Sequence, residues 1–277
     1  MMKKQILFFY FLMILGFVFA QNKEVSGVKV AIKTNLGTIT VKLYDETPIH
    51  RDNFIRLVKK HYFDSLLFHR VIKNFMIQAG DPYSKRAKPG APLGNGGPGY
   101  TLPAEIKPLL FHKRGALAAA REPDNVNPKK RSSGSQFYIV QGRKFTEDEL
   151  KKLEKRIQNT QTNELAIEFL SKKENRAMKL KLDSLYKNHM TEEIKIFSKE
   201  IIDKAMKAAG TTLFKFTPEE IKTYETIGGA PHLDNQYTVF GEVISGFDVL
   251  DKIADAKTDA RDRPIKDIRI LSMKIVK

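Results

Sequence analysis

Residues 67–82 read "LFHRVIKNFMIQAGDP". Apolar and polar side chains alternate here as they do in half-buried strands, with a break near Lys73 and Asn74 that divides the stretch into one or two strands. His69 and Arg70 stand among the apolar residues. A strand arginine is ordinarily a surface cation with a packed stem, and Phe75 and Met76 on their own read as core. The residues around this stretch decide which reading holds.

Upstream, "VKVAIKTNLGTITVKLYDE" at 28–46 alternates about a turn at Asn35–Gly37 and predicts a β-hairpin. "TPIHRDNFIRLVKKHYF" at 47–63 switches to helical spacing, with Phe54, Leu57 and Val58 on one face and Pro48 in the first turn. Downstream, residues 84–100 form a loop dense in Gly and Pro. Its "GNGGPG" at 94–99 matches G-x-G-x-x-G, but Pro98 and a β-like "YTLPAEI" follow it, not the helix a dinucleotide site needs. "SQFYIV" at 135–140 predicts a further strand.

From Gly142 to about Lys222 the composition shifts to Lys, Glu, Leu and Ile, which predicts helices. "TEDE" at 146–149 is a capping box before Leu150, Leu153 and Ile157. "TEE" at 191–193 precedes Ile194, Phe197, Ile201 and Ala205 on one face, and "FTPEEI" at 216–221 opens a short helix at Pro218. β-structure resumes over 232–246. A helix follows near Phe247–Ile253, and "IKDIRILSMKIV" at 265–276 is the last strand.

Composition narrows the function classes. The 277 residues are 42% hydrophobic, enough for a substantial core. The net charge of +16 suits anionic partners, yet the cations are scattered and no nucleic-acid module is present, so no nucleic-acid partner is expected. Lys3 and Lys4 before an apolar run at 6–19, ending in "VFA" at Ala20, predict a secretory signal peptide over 1–20, cut before Gln21. If it is not cleaved, the same run is a membrane anchor, although it is short for a bilayer span. A polar leader covers 21–27. With no Cys in the chain, an exported protein without disulfides is expected, as in a Gram-negative periplasm. There is no thiol nucleophile, no H-E-x-x-H and no G-x-S-x-G, so no metal or cofactor is expected and catalysis must rest on binding, electrostatics or desolvation.

Taken together, "NLGTITVKLYDETPIHRDNF", "FHRVIKNFMIQAGDP", "GNGGPGYTLPAE", "RGALAAAR", "GSQFYIV" and "PHLDNQYTVFGEVISGFDVLDKI" resemble, in order and context, the cyclophilin family of peptidyl-prolyl cis–trans isomerases. The resemblance covers most of 28–142 and 223–277. It implies a mainly β fold: a closed eight-stranded antiparallel barrel capped by two helices, with the groove for proline peptides on its outer face. By motif position, Arg70 is implied to be the catalytic residue. Phe75, Met76, Gln78, Ala120, Arg121, Gln136, Tyr138, His232, Leu233 and Tyr237 are implied to bind substrate.

The expected enzyme is a monomeric peptidyl-prolyl isomerase (rotamase) acting on folding exported proteins. The alternative is a proline-peptide binding module or holdase chaperone with weak turnover. His232, Arg121 and Tyr237 stand where well-known eukaryotic members carry Trp, Asn and His, so weak cyclosporin inhibition is expected. Residues 143–222 have no counterpart in the minimal fold. They are read as an all-α insertion that enlarges the client-binding surface, the alternative being an idle decoration.

Overall fold

In a computed structural model, which describes residues 27–277, the chain forms a curled antiparallel sheet with helices packed on it. The predicted signal peptide and nearly all of the leader lie outside the described residues. In chain order the elements are β1 (Lys29–Thr34), β2 (Gly37–Leu43), α1 (Pro48–Lys59), β3 (Arg70–Ile72), β4 (Met76–Ala79), β5 (Thr101–Leu102), β6 (Ala116–Ala119), β7 (Ser132–Ser133) and β8 (Phe137–Val140). Then come α2 (Glu147–Ser171), α3 (Arg176–Lys187), α4 (Thr191–Ala209), α5 (Pro218–Thr226), β9 (Val239–Ser245), α6 (Phe247–Ala254) and β10 (Ile270–Val276).

The main sheet has eight strands in the order β10-β1-β2-β9-β6-β8-β4-β3, and β5 pairs with β7 apart from it. The expected closed barrel is corrected to an open, curled sheet, because no strand ladder joins β3 to β10. The seam between them holds one isolated bridge, Leu67–Arg269, with backbone hydrogen bonds around it such as Phe68 N–H to Ile268 O at 2.9 Å. Ser65 at φ 71° and Asp262 at φ 62° take both chains out of extended conformation beside the seam, which ends regular pairing there.

Strand alternation gives the sheet two working faces. Ile77 and Ala79 of β4, Phe137 and Ile139 of β8, and Leu117 and Ala119 of β6 point into one core. There they meet Phe54, Leu57 and Val58 of α1 and Val249, Leu250 and Ile253 of α6. The alternate residues Met76, Tyr138, Val140, Ala116 and Ala118 form a second cluster on the other face, against which Phe75, Ala120, Leu233 and Tyr237 pack. β6 and β8 are buried on both faces for this reason. At the N-terminus of α1 the Glu105 carboxylate accepts the backbone N–H groups of Ile49 (3.1 Å) and His50 (2.9 Å), satisfying donors that the helix leaves free.

Helices α2–α5 stand between β8 and β9. The capping box read from "TEDE" is present at Thr146 and Glu149, and Thr217 with Glu220 makes a second one that opens α5. Phe197, Ile201 and Ala205 of α4 are buried, as their spacing predicts. The segment leaves and rejoins the body at a narrow neck, where Arg143 and Gly229 exchange backbone hydrogen bonds of 3.3 and 2.9 Å. Gly142 there adopts φ +66°, and a Cβ would stand 2.4 Å from the Gly229 Cα. A third cluster of Leu150, Phe216 and Tyr224, with Phe111 and Phe145 against it, fastens the base of the segment to the body. Among the described residues no helix is long and apolar enough to cross a membrane.

Candidate active site

The hairpin β3–β4 is the "LFHRVIKNFMIQAGDP" stretch folded on itself about Asn74, whose φ of 61° suits the turn. Its register pairs Arg70 with Gln78; the next ladders pair Gln78 with Tyr138 and Tyr138 with Ala118. Residues directly opposite one another share a face, so Arg70, Gln78, Tyr138 and Ala118 form one row across four strands, on the same face as Met76. A cavity of about 260 Å³ opens over this row. It is bounded by Arg70, Phe75, Met76, Gln78, Ala120, Arg121, Tyr138, Leu233 and Tyr237, which are all the predicted site residues except Gln136 and His232.

Gln136 lines a second cavity of about 830 Å³ that adjoins the first at Gln78, Gly94, Asn95, Ala120 and Arg121. Its amide joins the two: Gln78 Nε2 donates to Gln136 Oε1 at 2.9 Å, and Gln136 Nε2 donates to the carbonyls of Gly94 and Gly96 at 2.7 and 2.8 Å. This gives the rejected G-x-G-x-x-G loop a structural part, as a wall of the cavity. His232 lies on the opposite flank, its ring 5.1 Å from that of Phe75, and lines a third cleft. Burial and the nearby His112 lower its pKa, which keeps the imidazole neutral near pH 7.

Arg70 reaches over the apolar floor with its side chain about half exposed, and its Nε donates to Asp262 Oδ2 at 3.3 Å. The two terminal guanidinium nitrogens have no hydrogen-bond partner among the described residues. Arg121 is the opposite case, with a side chain only 5% exposed. It donates to the carbonyls of Gln236 and Glu122, pairs with Asp124, and lies 4.5 Å under the Tyr237 ring. Its charge is consumed in shaping the wall.

Behind the apolar floor a buried polar chain runs to the helical segment. His112 Nδ1 and Asp234 Oδ1 are 2.9 Å apart, His112 Nε2 and the Tyr138 hydroxyl 2.9 Å, and the Tyr224 hydroxyl donates to Asp234 Oδ2 at 2.6 Å. A carboxylate only accepts, so Nδ1 carries the proton that faces Asp234. Burial drives the Tyr138 pKa well above the usual phenol value, so this hydroxyl stays protonated and can donate. The network turns the Tyr138 hydroxyl away from the cavity and leaves the ring as apolar floor.

The sequence matches the family described as cyclophilin type peptidyl-prolyl cis-trans isomerase/CLD over residues 29–159 and 140–275. The chain belongs to the cyclophilin-type peptidyl-prolyl isomerases. A Staphylococcus haemolyticus relative that carries the name peptidyl-prolyl cis-trans isomerase is 30% identical over 261 residues, covering 92% of this chain and 95% of the relative. Less than a tenth of this cyclophilin lies outside that alignment, so most of α2–α5 is aligned as well. A Streptococcus pyogenes protein named as a bifunctional phosphatase/peptidyl-prolyl cis-trans isomerase is 31% identical over 90% of this chain, which spans 39% of that protein's length. Among solved structures, a Cryptosporidium parvum cyclophilin shares the fold at a TM-score of 0.53 and 21% identity, covering 91% of this chain and 98% of its own.

Several groups at the cyclophilin cavity are not among the predicted site residues: His69, Leu93, Gly94, Asn95 and Arg261 in the lining, and Asp262 on Arg70. His69 is 4% exposed and burial lowers its pKa to about 4, so it lines the cavity as a neutral ring. Arg261 donates to Gly90 O at 2.6 Å, and Arg263 donates to Lys88 O and Ala91 O at 3.1 and 2.6 Å. The turn 259–263 thus ties the Gly/Pro loop to the strand that carries Arg70. The alternation at 67–72 hints at His69, but nothing in the sequence signals a contact between residues 192 positions apart.

Proposed function

We propose that this cyclophilin isomerises X-Pro bonds by electrostatic stabilisation of the twisted amide, with Arg70 as the catalytic residue. Amide resonance gives the C–N bond double-bond character and a barrier of about 18–20 kcal/mol. Rotation breaks that resonance, and the proline nitrogen becomes pyramidal and basic. A fixed N–H donor aimed at it favours the twisted state over both planar isomers, which is the condition for catalysis. The observation that carries this reading is the cross-strand row, which sets the unpaired terminal nitrogens of Arg70 at the edge of an apolar cavity.

Phe75, Met76, Tyr138 and Leu233 seat the proline ring and exclude water. Ala120, Gln78, Gln136 and Tyr237 hold the peptide on one side, and His232 flanks the other. Arg121 acts through the wall it braces. A solved Cryptosporidium parvum cyclophilin was crystallised with the dipeptide Ala-Pro, which supports a proline-containing peptide as the occupant here. The clients are folding proteins of a bacterial envelope, a reading supported by the apolar segment at 6–19 and the absence of Cys. Helices α2–α5 enlarge the surface offered to them.

A coupled cis-to-trans peptide assay tests the proposal. Arg70→Ala lowers kcat/KM by about 10²–10³ with the fold intact by circular dichroism. A loss of less than threefold would remove Arg70 from catalysis, and a wild type without turnover would leave the binding-module reading. In the same assay, cyclosporin inhibits only at micromolar concentrations or above; nanomolar inhibition would overturn that expectation.

A further inference from the structure

The cleft that His232 lines, about 450 Å³ in volume, lies between the start of α2 and the flank of the proline cavity. Phe75 lines both, so the two spaces adjoin at this ring. The large cavity on the Gly94–Tyr100 side shares no lining residue with this cleft, so the two extend the central cavity in different directions.

The outer wall comes from the segment that the minimal fold lacks. Glu149, Lys152 and Arg156 recur at i, i+3 and i+7 and share one face of α2. Arg143 stacks on Phe145 at 3.9 Å and pairs with Glu149 at 2.9 Å, so these two charges cancel. Lys152 and Arg156 have no ion-pair partner among the described residues, although their neighbour Lys151 pairs with Glu147 at 2.8 Å. The cleft therefore presents two uncompensated cations opposite an aromatic wall of Phe75 and His232.

We propose that this cleft is a specificity subsite for an acidic side chain, Asp or Glu, of the same polypeptide whose proline occupies the central cavity. The inference rests on the proline-cavity reading above. An extended chain advances about 3.3 Å per residue, and the two spaces adjoin at Phe75, so the acidic residue stands about two to four positions from the proline. Its carboxylate meets Lys152 and Arg156 while its backbone passes His232. The helical segment thereby selects among proline sites as well as adding surface.

The test is kcat/KM on a series of proline peptides with Glu, or Gln as its neutral counterpart, at each of four positions on either side of the proline. The wild type should favour Glu about fivefold to tenfold at a position two to four residues from the proline, an advantage that shrinks with salt. Lys152→Gln with Arg156→Gln abolishes the Glu-over-Gln ratio, and Lys152→Glu with Arg156→Glu inverts it. Lys195→Gln with Lys199→Gln on α4 removes the same net charge and leaves the ratio in place. A ratio near one at every position in the wild type overturns the inference, as does a ratio that survives the first double variant or disappears equally in the α4 control. Failure of the wild type to turn over the Gln peptides would instead overturn the isomerase reading, and the subsite with it.

Discussion

At Arg70 a strand position, an apolar floor and one carboxylate combine to aim a charge. Asp262 holds Nε and so fixes the guanidinium plane. Both side chains are more than two-fifths exposed, so the pair is weak and its value lies in orientation. Asp262→Ala should lower kcat/KM about twofold to fivefold, and adding it to Arg70→Ala should cost nothing more; additive losses would separate the two residues. His69 makes a prediction about stability. Burial holds its folded-state pKa near 4 against 6.5 in the unfolded chain, so the unfolded state takes up the proton first as pH falls. The protein loses stability between about pH 6.5 and 4, by about 3 kcal/mol from this residue. Urea unfolding at pH 7.5, 5.5 and 4.5 measures it: His69→Phe flattens the profile, and an unchanged slope would place the proton uptake elsewhere.

Among the elements, those with a strong local period are legible in the sequence. The hairpin β1–β2, helix α1 with Phe54, Leu57 and Val58 inward, and the capped start of α2 stand where the residues place them. The strand "ALAA" of β6 carries no alternation because both its faces are buried, and α3 buries no side chain that would mark its register. Helix α5 matters most to the site. It spans Pro218–Thr226, past the boundary at residue 222 that composition suggests, and its Tyr224 closes the network behind Tyr138. Tyr224→Phe leaves one Asp234 oxygen without its buried donor and should cost about 1–3 kcal/mol in urea unfolding. A loss below a few tenths would mean that water replaces the hydroxyl.

For the whole molecule, the helical segment has a base that belongs to the body and a tip that does not. Leu150, Phe216 and Tyr224 pack against Phe111 beside the sheet, whereas α3 and the outer half of α2 lie against α4. Gln161 bridges the two arms, donating to Thr212 O at 2.9 Å and accepting from Phe214 N–H at 2.8 Å. Residues 163–210 can therefore be replaced by a short glycine linker without disturbing the neck. The shortened protein should turn over short proline peptides within twofold of the full chain and catalyse proline-limited refolding of a protein several-fold more slowly. Equal effects on both substrates would count against a role for the tip in client binding.

The sequence by itself determined the family, and it placed Arg70, Phe75, Met76 and Gln78, at most eight positions apart, on one hairpin, whereas Ala120, Arg121, Tyr138, Leu233 and Tyr237 reach the same cavity from other elements and Gln136 and His232 line its neighbours. The sequence also determined the presence of a helical segment, through composition and caps. Tertiary structure alone decided that the sheet stays an open curl. It also decided that Arg121 is spent on the wall, that Asp262 orients Arg70, and that α2 brings Lys152 and Arg156, without ion-pair partners among the described residues, to the cleft that Phe75 lines. Those outcomes depend on contacts between residues far apart in the chain, where no local period or propensity carries a signal.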